Sequence, residues 1–461
     1  MSKKRLIVIG GDAAGMSAAV RAKKHMQELE VLVLEKSGHI SYAACGMPFM
    51  LSGVIPDPAS LLVLTPEKAL ASRGVNVLTQ HEAISIDPGR KTVTCRVGNP
   101  GVSRETGFEY DALVLAMGAR ASIPAAPGVN LDGVKTLRTY GDGLALKRFF
   151  QEHRVKHVVI SGSGLVGLET AESFRRLDCN VTLLKRSAGP LLGLEPVLSK
   201  IVEEELAKNG CILLKNSPLG EIVENSSGKV AAVQTGGETI KADLVLLASG
   251  VIPNSEIAAA AGIRLSVQNT IAVNEHLQTS ADNVFAAGDC TAQIHKVSEK
   301  PVFISQALAA NRSGRTAGAN VTALVWEKGQ PASYPGTMGT VLTKVFDLEV
   351  GLCGLNLKEA NAAGFDGRFT WIKDRSRAGY YPGGSPLYVG LVFESGSGRI
   401  LGGQIAGKEG AAKRLDVISA AIDAKMDLQR FSNLDLGYCP PFSPAWDPLL
   451  TAASVALKNL E

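Results

Sequence analysis

A strand, glycine-turn, helix pattern occurs twice in this 461-residue chain, and any fold it adopts must accommodate both copies. The first is Arg5 to Gly15, RLIVIGGDAAG, followed by Met16-Ser17-Ala18-Ala19-Val20. The second is His157 to Gly167, HVVISGSGLVG, followed by Leu168-Glu169-Thr170-Ala171-Glu172. A short apolar run closed by glycine reads as a buried parallel strand. The helix after it presents free amides to an anion such as a pyrophosphate. Gly162, Gly164 and Gly167 complete the G-x-G-x-x-G fingerprint, whereas in the first copy Asp12 replaces the middle glycine between Gly10 and Gly15.

Each copy continues into a second strand. Glu30 to Leu34 ends in Glu35, a carboxylate able to accept hydrogen bonds from a ribose diol. Asn180 to Leu184 ends in Lys185-Arg186, and two cations there suit a 2′-phosphate. The second unit therefore favours NADPH, with NADH open. The plain alternative is a solvated strand end. The expected fold is α/β, with two Rossmann-like dinucleotide-binding domains and a C-terminal α+β domain. The first domain is discontinuous, 1–118 and 272–325; the second spans 150–250 and the third 330–461.

Further strand-to-glycine turns are expected at Phe108–Arg120, at Asp243–Asn254 and at Asn283–Asp289. Asp289 can bond a polyol or simply cap a turn. A helix is expected from Ile304 to Asn320. A composition change at Lys328–Pro335 marks a boundary. Beyond it come β-type runs at Val341–Val345, Leu387–Phe393 and Ile400–Ala406, and a helix over Lys413–Met426.

The net charge of +4, without a long basic block, argues against nucleic acid as a partner. No run approaches the ~18 apolar residues of a membrane span. The opening Met1 to Ile9 is too short in apolar residues for a signal peptide, which points to the cytoplasm. Seven scattered cysteines do not form a secreted disulfide framework. No metal is expected: His153 and His157 stand four apart in a stretch that enters a strand, where that spacing does not converge on an ion.

The chemistry points to Ser41-Tyr42-Ala43-Ala44-Cys45-Gly46-Met47-Pro48-Phe49. The next cysteine is Cys95, so no dithiol pair exists here. Beside a flavin, a lone thiol in a Gly/Pro-bounded loop can cycle through a mixed disulfide, sulfenate or persulfide. Alone, it is equally an inert small hydrophobe.

Together these residues resemble the single-cysteine branch of the pyridine nucleotide–disulfide oxidoreductases. Within it, SYAACGMPF is similar to the active-site loop of coenzyme A disulfide reductases and their persulfide-reductase relatives. GYYPGGSPL, ILGGQIAGKEGAAKRLDVISAAI and LGYCPPFSPAWDP resemble that subgroup's dimerisation domain. The resemblance implies FAD at Gly10, Gly11, Ala14, Gly15, Glu35, Lys36, Ser41, Gly118 and Asp289. It implies a nicotinamide dinucleotide at Gly162, Gly164, Leu165, Val166, Gly167, Glu169, Lys185, Arg186 and Gly250.

Catalysis would fall to Cys45, with Tyr438 and Tyr380 or Tyr381 supplied by the other subunit of a homodimer. In isolation these tyrosines read as turn anchors. The substrate would be a small disulfide or persulfide, with coenzyme A as substrate or as an adduct on Cys45. Ser17, Arg21, Lys24, Ser41, Lys68 and Trp446 are candidate contacts, although Arg21 and Lys24 equally suit a solvated helix face. Two departures bear on this. Trp446 stands where coenzyme A reductases tend to have lysine, and Ala44 where asparagine is frequent. The family's peroxidases and water-forming oxidases carry a histidine at the position of Ala13, which has no acid–base capacity. An NAD(P)H oxidase and a flavoprotein redox partner of another protein are the rival readings.

Overall fold

Each glycine-bounded apolar run becomes the central strand of its own parallel sheet. The computed structural model describes residues 4–98, 104–189 and 191–460, so Met1–Lys3 of the expected N-terminal reading lie outside the described residues. The first sheet has the order 284–286, 112–115, 5–9, 30–34, 76–78, parallel throughout. The second has the order 134–136, 244–247, 157–161, 180–185, 211–215, again parallel throughout. The two orders match strand for strand except in where the edge strand originates. Val284–Ala286 comes from far downstream, whereas Val134–Thr136 comes just before its unit and ahead of residue 150. Helix Tyr140–Glu152, with its Thr139/Asp142 capping box, also begins before residue 150 and connects two strands of the second sheet.

Helix Ala13–His25 packs on helix Ala307–Trp326 with almost no spacing. A Cβ on Gly314 or Gly318 would lie 2.2 Å from the carbonyl oxygen of Ala14 or Ala18. The later helix starts three residues beyond the expected Ile304 and runs six beyond Asn320, since its apolar face continues along the first unit through Val321.

The expected single strand at Phe108–Arg120 is two. Arg104–Glu109 belongs to a three-stranded antiparallel sheet and Ala112–Leu115 to the first parallel sheet. The chain changes sheets at Tyr110-Asp111, where Tyr110 N–H bonds the Lys91 carbonyl and the Asp111 carboxylate accepts from Arg5 N–H at 2.7 Å.

The C-terminal unit is a five-stranded antiparallel sheet, order 341–345, 348–354, 400–407, 386–394, 367–375. Helices Ala411–Asp423 and Pro448–Lys458 share its core, and strand Ile400–Gly407 is buried along its whole length. The sheet is tied to the second unit by polar contacts. Glu172 accepts from Phe346 N–H at 2.9 Å, and Glu195 N–H donates to Gln404 at 2.7 Å.

No helix among the described residues is long and apolar enough to cross a membrane. Nor do any three His, Cys, Asp or Glu residues among them cluster as metal ligands.

Candidate functional site

The Cys45 loop bridges the two dinucleotide units. On one side, Ser41 N–H bonds the Gly11 carbonyl at 2.9 Å, and Tyr42 N–H reaches the Asp12 carboxylate at 3.3 Å. Ser41 itself adopts φ +45°, the left-handed region a serine rarely enters. On the other side, the short helix Met47–Leu51 leaves the loop with Pro48 in its first turn, where a missing N–H costs nothing. Ser173 of helix Leu165–Arg176 donates to the Pro48 carbonyl at 2.7 Å. Cys45 thus lies where helices of both units meet.

Cys45 and Cys439 are exposed, while Cys95, Cys179, Cys211, Cys290 and Cys353 are buried. Although Cys45 as a residue is exposed, protein packing around its sulfur pushes the thiol pKa up. Glu169 adds to that shift and Asp12 adds a little more; the Arg138 guanidinium opposes both. Burial also raises Glu169, which accepts from Thr343 at 2.9 Å. Asp12 is pushed up to about 6, mainly by burial, with repulsion from Glu35 adding and the Tyr42 amide opposing.

Two features were not legible in the chain. Arg138 donates to Asp289 at 2.6 Å and to the Ala119 carbonyl at 3.0 Å, and no motif marks it. Asp12 was visible only as a missing glycine. Its carboxylate makes no cap on its own helix but turns to the Tyr42 amide.

The first unit fits a flavin dinucleotide. The Glu35 carboxylate, at the end of its strand, is held by the amides of Gly11 and Ser37, both at 2.7 Å, with lone pairs to spare for a ribose. The first turn of helix Ala13–His25 carries no side-chain cap, so its amides face the glycine turn. The turn itself requires glycine: a Cβ on Gly15 would meet the Gly10 carbonyl oxygen at 1.8 Å. Asp289 reaches the same helix end, because Gly288 packs on the Ala14 side chain. Its carboxylate is shared by Arg138 and Ser305. Lys36 is exposed.

The second unit repeats the arrangement. Helix Leu165–Arg176 is capped by Gly164 without a side-chain bond, and Val166 is exposed. A Cβ on Gly167 would lie 2.2 Å from the Gly162 carbonyl oxygen, yet the spaces beside Gly164, Gly250 and Gly118 are open. Lys185 donates to Ser187 at 2.8 Å; burial and neighbouring Lys215 lower its pKa. Arg186 is exposed.

Several of the remaining candidates have partners of their own. The hydroxyls of Tyr380 and Tyr438 meet at 2.7 Å, and both side chains are exposed. That bond raises the Tyr438 pKa. Tyr381 lies under the Arg377 guanidinium at 5.8 Å. Trp446 is 67% exposed, next to Asp447, which caps the last helix and pairs with Arg414. Ser17 bonds Asn311 at 2.8 Å, and Arg21 shares its helix with Lys24. Lys68 is exposed on helix Pro66–Arg73.

Two dinucleotide-binding units that meet beside an accessible cysteine are the architecture of a nicotinamide-dependent oxidoreductase. Residues 4–314 match the pyridine nucleotide-disulphide oxidoreductase family, and residues 340–449 match that family's dimerisation domain. The chain belongs to this family of FAD- and nicotinamide-using enzymes. It is 37% identical over 456 residues, 98% of each chain, to a protein of Pyrococcus horikoshii named NAD(P)H coenzyme A polysulfide/persulfide reductase. A Methanocaldococcus jannaschii relative named NADH oxidase is 34% identical over 99% of each chain. The solved structure of an NAD-dependent persulfide reductase from A. fulgidus superposes with a TM-score of 0.93 at 33% identity. That match covers 99% of this chain and 83% of the other.

Proposed function

We propose that this protein is an FAD-dependent NAD(P)H reductase of sulfur–sulfur bonds that works through Cys45. Its substrate in this reading is coenzyme A disulfide or a coenzyme A persulfide or polysulfide. The observation that carries the reading is the single accessible thiol at the seam of the two units, with no second cysteine in its loop. The names of the 37%-identical Pyrococcus relative and the A. fulgidus structure point to the same chemistry.

The thiolate of Cys45 attacks one sulfur of the substrate, forming a mixed disulfide and expelling the other sulfur as a thiolate. When bound, the flavin and nicotinamide would supply the electron pair that cleaves the mixed disulfide, restoring the Cys45 thiolate and releasing the remaining half of the substrate as a second thiolate. Arg138 stabilises the Cys45 thiolate, while the carboxylates of Glu169 and Asp12 oppose its formation until substrate is bound. In a homodimer the partner's Tyr438, paired with the partner's Tyr380, would donate to the departing sulfur. A phenol stays protonated at neutral pH, all the more with its pKa raised. Exposure of Tyr380, Tyr438 and Phe442 on one chain supports a face completed by a second copy.

Lys185 and Arg186 would receive the 2′-phosphate of NADPH. Ser17, Arg21, Lys24, Ser41 and Lys68 would hold a phosphorylated carrier, with Trp446 covering its ring. An NAD(P)H oxidase is the second reading, because the M. jannaschii relative bears that name. Steady-state kinetics with NADPH and NADH against coenzyme A disulfide, polysulfide, glutathione disulfide and oxygen separate the two. Sulfur substrates should be reduced in preference to oxygen. Stoichiometric oxygen uptake with no turnover of any sulfur compound would reject the proposal.

A further inference from the structure

A cleft of about 610 Å³ opens at the C-terminal end of the helix that follows Cys45. Its apolar floor includes Leu51, the last residue of that helix, and Phe150, whose ring stacks on Phe174 at 5.5 Å. Its rim carries three cations, Lys147, Arg154 and Lys156, beside His153, whose Nε2 lies 3.2 Å from the Lys229 ammonium. None of the residues assigned above to flavin, nicotinamide or substrate lines it.

The rim cations lack a counter-charge. Among the described residues, no ion pair involves Lys147, Arg154 or Lys156. Asp243 is spent on the backbone amides of Lys156 and His157, each at 2.8 Å. Asp132 faces Lys135 and Lys229 instead. The whole chain carries a formal charge of only +4, so three unpaired cations around one concavity are not the by-product of a generally basic surface. Convergent like charges above an apolar floor suit a ligand with an anionic head and a flat apolar body.

The cleft is mechanically close to Cys45. Met47 and Met50 pack so tightly on helix Tyr140–Glu152 that a Cβ on Gly143 would lie 3.1 Å from each. Further along that helix, Lys147 donates to the Pro56 carbonyl, beyond the Cys45 helix, at 3.2 Å. An anion in the cleft competes for that ammonium and bears on Leu51 at the same time.

We infer that this cleft binds a small aromatic phosphate, with the phosphate on Lys147, Arg154 and Lys156 and the ring on Phe150 and Leu51, and that its occupancy alters the reactivity of Cys45. Pyridoxal 5′-phosphate is a suitable probe, because borohydride traps it on any lysine it occupies. The FAD-loaded protein, with saturating NADP⁺, is titrated, trapped and mapped by peptide mass. Lys147 or Lys156 should label at about tenfold lower probe concentration than the exposed Lys200 and Lys413. Inorganic pyrophosphate should protect them, and Arg154→Glu, which keeps both lysines, should abolish the preference. Equal labelling of all four lysines, or a preference that survives Arg154→Glu, overturns the site. Pyrophosphate should also change the rate of Cys45 alkylation by iodoacetamide about twofold or more in the wild type but not in Arg154→Glu. An unchanged rate in the wild type overturns the link to Cys45.

Discussion

Replacing Asp12 with Asn should make the flavin-free protein more stable, and the gain should grow with pH. The half-buried carboxyl is pushed up to about 6 from its ordinary 3.8, chiefly by desolvation. Between those values the folded chain binds a proton that the unfolded chain does not, so stability falls as pH rises through the window. Above pH 6 the ionised carboxylate costs the folded state about 3 kcal/mol at most. At pH 5, where the folded form is mostly protonated, the cost is roughly half of that. Asparagine carries no charge and still offers an oxygen to the Tyr42 amide, so the native bond has a replacement. The advantage of Asp12→Asn should therefore roughly double from pH 5 to pH 8. Urea unfolding followed by tryptophan fluorescence is a suitable assay, because Trp326 packs against the core of the first unit. An advantage that stays flat with pH, or no advantage at pH 8, would refute the reasoning.

Four further expectations concern other groups of the site. Glu169→Gln should move the pH–rate profile of Cys45 alkylation to lower pH, and Arg138→Ala should move it up; the opposite order would remove both from the thiol's electrostatics. Gly167→Ala should cost on the order of 2–4 kcal/mol, because the new methyl meets a carbonyl. Gly164→Ala, with open space beside it, should leave urea midpoints unchanged yet weaken NADPH binding about tenfold in a fluorescence titration. Lys185→Ala should lower kcat/KM for NADPH about tenfold relative to NADH; an unchanged ratio would leave the 2′-phosphate without this partner.

What the chain revealed before folding were its local patterns. Glu30–Leu34 and Val341–Val345 are strands with the expected bounds, since a short apolar or alternating run carries its own signal. The glycine turns at Gly10 and Gly162 were legible for the same reason. The break at Tyr110-Asp111 was not, because the residues on both sides suit a strand and only partners at Lys91 and Arg5 separate them. Arg138 was invisible because its meaning lies in Asp289, 151 residues away. The environment of the Cys45 thiol likewise comes from Asp12, Arg138 and Glu169 on three distant segments, which no local period records.

Cys45→Ser tests most directly whether that sulfur carries the electrons. In the FAD-loaded variant, NADPH should still bleach the flavin absorbance, while reduction of coenzyme A disulfide falls to background. Disulfide turnover by the serine variant at the wild-type rate would contradict the account.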